Sequence, residues 1–303
     1  MNPSNVQSNE PSVYIILVNW NRFDDTAECI SSLNQLTFSK FSIIVVDNGS
    51  VDHSVSKLKQ QFPQINLIQS ETNLGFAVGC NLGIREAIKQ GAEFLWLLNN
   101  DTVVDPQALY EMIKVARDPA VGITGSKIFY FERPDKVWAM GAVFNVNTGD
   151  ARHIQVEHDS PRHSSEKLYI PGCSMLISRS CLEATGYLDE SYFHLGEDVD
   201  YCLRADQKGF KLEVARNSRV WHKVSSSMTG FSPRYNYYEQ RNRLLLVKKY
   251  HFAKKPLLYF FHFTKRIAIA LLMGMREPIK NARYIFQGLM DYSKGISGQR
   301  VSD

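Results

Sequence analysis

Glu197-Asp198-Val199-Asp200 puts three carboxylates into four residues, shortly after the aromatic run Tyr192-Phe193-His194. Two chemistries suit such a cluster. Carboxylates favour a helix N-terminus and Asp200 stands four residues before Arg204, so the group reads as an acidic cap with an ion pair. Alternatively, one of the three is a general base. At about 100° per residue, positions 197, 198 and 200 cannot all face one cleft. Asn99-Asn100-Asp101 follows the apolar run Phe-Leu-Trp-Leu-Leu. It reads as a polar turn, or as part of a site for a hard divalent cation on a diphosphate, which needs oxygen ligands and few protein carboxylates. His222 ends the run Val220-Trp221-His222 and could add one imidazole nitrogen beside Asp101, although a lone histidine is more often an ordinary core or surface residue. Asp47 closes an apolar run before Asn48-Gly49-Ser50, where a carboxylate either accepts from a ring N–H of a nucleobase or caps an Asx-turn. Trp20 either flanks that base or fills the core.

The elements that must hold these residues are legible from periodicity. Residues 13–18, 41–46, 65–69, 94–98 and 121–127 are short runs mostly rich in β-branched or aromatic side chains, the pattern of buried parallel strands. Between them, 26–36, 54–61, 76–90 and 107–116 read as helices, with Asp25, Asp52 or His53, and Asp105-Pro106 at their starts. The series predicts an α/β fold with a parallel sheet. Ligands of such sheets bind at the carboxyl ends of the strands. Four of those ends are polar here: Asn19-Trp20-Asn21, Asp47 to Ser50, Asn73-Leu74-Gly75 and Asn99 to Asp101. Gly75, Gly79 and Gly83 lie four apart on one helix face, which predicts tight helix-on-sheet packing or close approach to a ligand. Further along, strands are expected at 137–145, 167–170, 175–178, 211–215 and 220–222, helices at 179–185 and 198–208, and a mobile loop at 146–166.

Composition removes several function classes. The 303 residues are 44% hydrophobic and 22% charged, which is ordinary for a folded globular chain. Five dispersed cysteines with no C-x-x-C pair argue against a disulfide framework or a zinc finger, and point to a reducing compartment. The first twelve residues have neither a basic segment nor an apolar core, so they read as disordered and the expected location is cytoplasmic. Neither G-x-x-x-x-G-K-[ST] nor G-x-G-x-x-G follows the first strand, which disfavours ATPases and nicotinamide dehydrogenases. Residues 1–233 hold 21 Lys+Arg against 27 Asp+Glu, whereas 234–303 hold 14 against 4. Nucleic acid is therefore a poor partner for the body, while the basic, aromatic-rich tail suits an anionic surface.

In order, VNWN, VVDNGS, NLGFAVGCNLGI, LLNNDTVV, PGCSMLISR, GEDVDYCLRA, VWHKVSSS and YYEQRNRLLLVKKY resemble the family 2 glycosyltransferases, particularly their rhamnosyltransferase-like branch. The resemblance covers about residues 13–228 and 237–250. It implies a GT-A fold, mostly parallel and flanked by helices, with a catalytic domain at 13–232. That domain divides into a nucleotide-binding half, 13–127, and an acceptor half, 128–232; a basic, amphipathic helical tail fills 233–303. It further implies an inverting enzyme, a nucleotide-diphosphate-sugar donor and Mg²⁺ or Mn²⁺. Carried over residue by residue, Asp47 reads the pyrimidine, Val18, Asn19 and Trp20 line the base, and Gly75, Asn99 and Asn100 lie along the nucleotide. Asp101 and His222 then hold the metal and Asp198 is the general base, with Glu197 and Asp200 beside it. The pattern departs at Asn99, where many members carry Asp, removing one negative charge from the metal site.

The reaction implied is transfer of a sugar, rhamnose from dTDP-rhamnose or else a hexose or N-acetylhexosamine from a UDP-sugar, to a glycan or lipid-linked acceptor. An inactive nucleotide-sugar binding protein or scaffold subunit is the alternative class. Residues 257–275 are the most apolar stretch, but Lys265 and Arg266 at their centre oppose insertion across a bilayer. Arg276, Lys280 and Arg283 are expected on one face of the following helix, with Ile279, Phe286 and Leu289 on another. This pattern suits a helix lying in the interface of the inner membrane face, or one packed on the catalytic domain or on a second subunit.

Overall fold

Alternate side chains of the first strands enter two different cores, and this makes the molecule a three-layer α/β/α structure. Ile15 and Leu17 of β1 (Val13–Asn19) lie on one face, with Ile43 and Val45 of β2 (Phe41–Asn48). Ile16, Ile44 and Val46 lie on the other. Strands buried on both faces read as unbroken apolar runs. The computed structural model describes residues 10–156, 159, 161, 163–224, 232–250, 264, 266–268, 271 and 277–300.

The parallel half has the order β3-β2-β1-β4, with β3 at Asn66–Ser70 and β4 at Phe94–Asn99. Helices α1 (Phe23–Leu33), α2 (Ser54–Gln61) and α3 (Phe76–Lys89) cross between these strands. Helix α1 starts three residues before the expected position, so Asp25 lies inside its first turn rather than at its cap. On α3, a Cβ at Gly79 would meet Val18 at 3.0 Å and one at Gly83 would meet Ile16 at 2.5 Å, so these glycines serve helix-on-sheet packing. Gly75 instead precedes the helix with φ +89°.

Beyond β4 the sheet becomes mixed. After β5 (Thr102–Val104) and α4 (Ala108–Ala116), the long strand β6 (Val121–Tyr130) pairs with β7 (Arg133–Ala139). Strand β11 (Ser174–Ser178) inserts antiparallel between β4 and β6. The run 137–145 divides at Gly141, whose φ of +75° turns the chain from β7 into β8 (Ala142–Asn145). The segment 146–166, expected as a mobile loop, contains β9 (Ala151–His153), which joins β8 and β10 (Glu166–Tyr169) in a small antiparallel sheet. After α5 (Arg179–Thr185) and α6 (Glu197–Gln207), the two short strands expected at 211–215 and 220–222 form one strand, β12 (Lys211–His222). Its pairing with β6 is irregular between Ala215 and Arg219, which places Ser218 beside β6.

This irregularity completes a ladder of buried polar side chains across four adjacent strands. Trp96 Nε1 donates to Ser174 Oγ at 3.0 Å, Ser174 and Ser126 hydroxyls are 2.8 Å apart, and Ser218 Oγ donates to Ser126 at 2.9 Å. All three serines are buried.

The C-terminal helices α7 (Pro233–Lys249) and α8 (Pro278–Ser293) pack on each other through Asn236 and Asn281, 2.7 Å apart, and through Tyr237, whose hydroxyl donates to Asp291 at 2.7 Å. Gly288 lets the two backbones approach, since a Cβ there would meet the Tyr237 carbonyl at 2.7 Å. Most of the apolar stretch 257–275 lies outside the described residues, among which no helix is long and apolar enough to cross a membrane. Residues 1–9, expected to be disordered, also lie outside them, and Ser12 is tied to Gly91 and Glu93.

Ser126 is the central link of the polar ladder. Ser126→Ala should lower the unfolding free energy by about 1–3 kcal/mol, because it leaves two buried hydroxyls short of a partner. Denaturant titration of both proteins measures this, and equal midpoints would show the ladder to be energetically neutral.

Candidate active site

Parallel pairing aligns the strand ends. Asn19 stands opposite Asp47 and Val18 opposite Asn99, so the polar residues that follow each strand collect on one rim. Asn19 is fully buried and its Nδ2 donates to Asp47 Oδ1 at 2.7 Å. Asp47 also accepts from the Ser50 hydroxyl at 2.6 Å and the Ser50 N–H at 3.0 Å. The Asx-turn is thus real, and the carboxylate retains acceptor capacity because its two oxygens offer about four lone-pair sites. Trp20 is half-buried, with the Arg234 guanidinium 5.5 Å from its ring centre; the same guanidinium is 5.6 Å from Phe193. Val18 packs under Gly79, and Gly75 packs against the Phe193 carbonyl.

Two residues of this rim take roles that the sequence did not assign to them. Asn48 donates to the Gly75 carbonyl at 3.0 Å and accepts from the Leu74 N–H at 3.0 Å, so it shapes the loop 73–75. Thr26, inside α1, takes a hydrogen bond from Asn100 Nδ2 at 2.8 Å and lies 2.8 Å from Asn19 Oδ1. A polar residue flanked by helix-forming neighbours carries no local signal of such a contact.

Asp101 and His222 meet because β5 pairs antiparallel with β12, with Thr102 opposite His222. Asp101 Oδ1 is 3.1 Å from His222 Nε2, and the Asn99 amide is 3.5 Å from the same nitrogen. Burial opposes charge on the ring, but the Cys173 sulfur and the Asp101 carboxylate outweigh it and raise His222 well above the usual histidine value. Its Nδ1 is buried without a hydrogen-bond partner. Trp138 stands edge-on to both His222 and His153, at 4.9 and 4.2 Å between ring centres. Burial and the nearby His222 hold His153 down at about 4, so its ring is neutral at neutral pH.

The three carboxylates of α6 separate as helical geometry requires. Asp200 is fully buried and engaged by Arg204 at 2.8 Å, Lys249 at 2.6 Å and the Tyr250 hydroxyl at 2.8 Å. Glu197 is buried and its Oε2 has no partner; burial first, then the charges of Asp198 and Asp200, push it up to about 8. Of the three, only Asp198 is half-buried rather than buried. Its Oδ2 accepts from the Gly172 N–H at 3.0 Å and its Oδ1 from the Val199 N–H at 2.8 Å. Burial raises its pKa, and those two N–H groups oppose the rise.

The segment Pro171–Ser174 joins these parts. Gly172 binds Asp198, the next carbonyl, of Cys173, accepts from the Asn99 N–H at 2.9 Å, and the Cys173 sulfur faces His222. The part that holds Asp198 thereby lies beside a part with one carboxylate and one imidazole. Among the described residues no three His, Cys, Asp or Glu side chains group as a metal cage, so a cation held here would take its remaining oxygens from a ligand.

This chain is similar to several known transferases. Over 241 residues it is 26% identical to the low-salt glycan biosynthesis hexosyltransferase Agl10 of Haloferax volcanii, which covers 76% of this chain and 74% of that protein. It is 22% identical over 298 residues to the dTDP-rhamnosyl transferase RfbF of Shigella flexneri, covering 95% and 97% of the two chains. Its match to the O-antigen biosynthesis protein RfbC of Myxococcus xanthus spans only 18% of that protein. Among solved structures, the mannosyltransferase PcManGT of Pyrobaculum calidifontis, in complex with GDP-Man and Mn²⁺, superposes with a TM-score of 0.57 at 16% identity, over 95% of this chain and 76% of that one. GalNAc-T7 with UDP, GalNAc and Mn²⁺ gives 0.63 at 15% identity, over 95% and 57%. These likenesses show the GT-A fold. The sequence model of glycosyl transferase family 2 matches residues 14–183, more than half of the chain and every strand end that builds the rim. The chain belongs to that family.

Proposed function

We propose that this glycosyltransferase moves rhamnose from dTDP-rhamnose to a glycan or lipid-linked acceptor, with inversion at the anomeric carbon and Asp198 as the base. The single observation that carries the mechanism is that Asp198 alone of the three α6 carboxylates is only half-buried, while Glu197 and Asp200 are buried. In a direct displacement, the acceptor hydroxyl must lose its proton as it attacks. Asp198 takes that proton. Glu197, kept protonated beneath it, adds no second charge, and burial makes Asp198 a stronger base than a solvated aspartate. Asp47, Asn19, Trp20 and Asn100 would hold the nucleoside, with Asn99 and Gly75 alongside. Asp101 Oδ1 and His222 Nε2, 3.1 Å apart, would be two ligands of Mg²⁺ or Mn²⁺, a carboxylate oxygen and an imidazole nitrogen of the kind such cations accept. When bound, such a cation stabilises charge on the departing diphosphate. Rhamnose is favoured by the similarity to a dTDP-rhamnosyl transferase along nearly its whole length. Poly-beta-1,6-N-acetyl-D-glucosamine synthase of Staphylococcus aureus is also similar, 23% identical over 266 residues, so a UDP-sugar is the second reading.

The acceptor reading brings in the outer face of α8. Ile279, Phe286 and Met290 are exposed, at 78, 52 and 37%, and share one helix face with Arg283, flanked by Lys280 and Lys294. The expected segregation of basic and apolar residues is therefore replaced by a mixed face, and Leu289 is half-buried rather than exposed with Phe286. Apolar side chains ringed by cations complement an anionic bilayer surface, where a peripheral enzyme would meet a lipid-linked acceptor.

Purified protein should turn over dTDP-rhamnose in the presence of Mn²⁺ and lose that activity in a chelator. Asp198→Asn should lower kcat by about 10²–10⁴ with donor affinity retained. Asp200→Asn should instead reduce stability by about 1.5–3 kcal/mol, through its weakened ion pairs, while each folded molecule turns over normally. Loss of kcat in Asp200→Asn with none in Asp198→Asn would transfer the base role. For the tail, sedimentation with phosphatidylglycerol vesicles at low salt should retain the wild type and release Phe286→Glu and Arg283→Glu. Equal retention of all three, or of none, would remove the bilayer from α8; a concentration-dependent dimer lost in the same variants would assign the face to a second copy.

A further inference from the structure

Asp198 follows directly on a turn with an unfavourable backbone. Leu195 has φ +69° and Gly196 φ +97°, so two consecutive residues are left-handed before α6 begins. For a leucine that conformation costs about 1–2 kcal/mol, and it persists only where the surroundings impose it. Here the surroundings are the neighbouring backbone of α3 and one side chain of α7. The Phe193 carbonyl accepts from the Phe76 N–H at 2.9 Å. The next two carbonyls, of His194 and Leu195, both accept from Nδ2 of Asn242, at 2.8 and 2.7 Å.

The orientation of that amide is itself fixed. Asn242 is buried, and its Oδ1 accepts from Arg241 Nε at 3.0 Å, so only the NH₂ end can face the turn. Arg241 is fully buried; it donates to the Gly298 carbonyl at 2.7 Å and lies over the rings of Tyr237 and Tyr238, 5.4 and 5.0 Å from their centres. Tyr238 in turn stacks on Phe193 at 5.3 Å. Three consecutive carbonyls before the base helix are thus tied down, two of them by one side chain from a helix outside the sheet domain.

We propose that Asn242 is the positioning residue for Asp198: its paired hydrogen bonds hold the left-handed turn that aims the first turn of α6 into the cleft. This rests on the reading of Asp198 as the base. Without the two donors Leu195 relaxes toward ordinary backbone angles, α6 rotates about its first turn, and Asp198 moves away from the Gly172 N–H. A displacement of about 1 Å at a reacting group costs about 10²-fold in rate. The nucleoside contacts of Asp47, Asn19 and Asn100 lie on other elements, so donor binding does not share the loss.

The test compares Asn242→Ala and the near-isosteric Asn242→Asp, which has no donor, with Asn281→Ala, which loosens α7 against α8 without touching the turn. Steady-state kinetics and melting curves are recorded for each full-length protein, beside Asp198→Asn. Both Asn242 variants should lose about 10²-fold in kcat with donor KM within twofold, while Asn281→Ala melts earlier but keeps kcat. Wild-type kcat in Asn242→Asp, or an equal loss of kcat in Asn281→Ala, would overturn the inference while the base assignment stands, provided Asp198→Asn is inactive. Full turnover by Asp198→Asn would overturn the base assignment and this inference with it.

Discussion

One backbone segment decides whether the cleft exists. Gly172 gives its N–H to Asp198, and Cys173 gives its carbonyl to Asn99 and its sulfur to His222. Asp198 lies almost a hundred residues after Asp101 and about two dozen before His222, yet all three are placed through this one segment. Their spacing is set by two adjacent peptide units. Strand β11 makes this possible by running antiparallel to β4, since its start then lies at the carboxyl end of the parallel strands, where the nucleotide rim already is.

The parallel half of the sheet was legible because strands buried on both faces spell uninterrupted apolar runs, and the residues after them must lie on one rim. The acidic cluster was partly legible: 100° per residue excludes three carboxylates in one cleft, but which of them opens outward depends on Arg204, Lys249 and Tyr250 claiming Asp200. The partnership of Lys249 and Tyr250 with a residue about fifty positions earlier leaves no periodicity to read. Strand β5 escaped notice because three residues are too short for a pattern, yet its pairing brings His222 to Asp101. The roles of Asn48, Thr26 and Asn242 are likewise tertiary. An amide that satisfies distant carbonyls has the same local signature as one exposed to water.

The electrostatics of α6 follow a single logic. Three carboxylates at one helix end would repel one another if all were ionised in a low-dielectric interior. Asp200 is paired with two cations, Glu197 is pushed toward its protonated form, and Asp198 accepts from two backbone N–H groups. The basic C-terminal region therefore serves the body of the protein as well as its surface. Lys249 of α7 is part of that arrangement through its contact with Asp200.

The polar ladder through Trp96, Ser174, Ser126 and Ser218 bears on how the chain finds this sheet at all. Strands β4, β11, β6 and β12 are distant in sequence, and the buried faces they share are largely apolar, so hydrophobic burial alone would tolerate several alignments between them. Side chains alternate faces along a strand, and sliding any one of the four by a single residue would turn its rung to the opposite layer. The misaligned sheet would then carry orphaned hydroxyls in a dry interior. The ladder thus penalises near-miss alignments that oily side chains would accept, and in the alignment it favours, Cys173 lies beside His222.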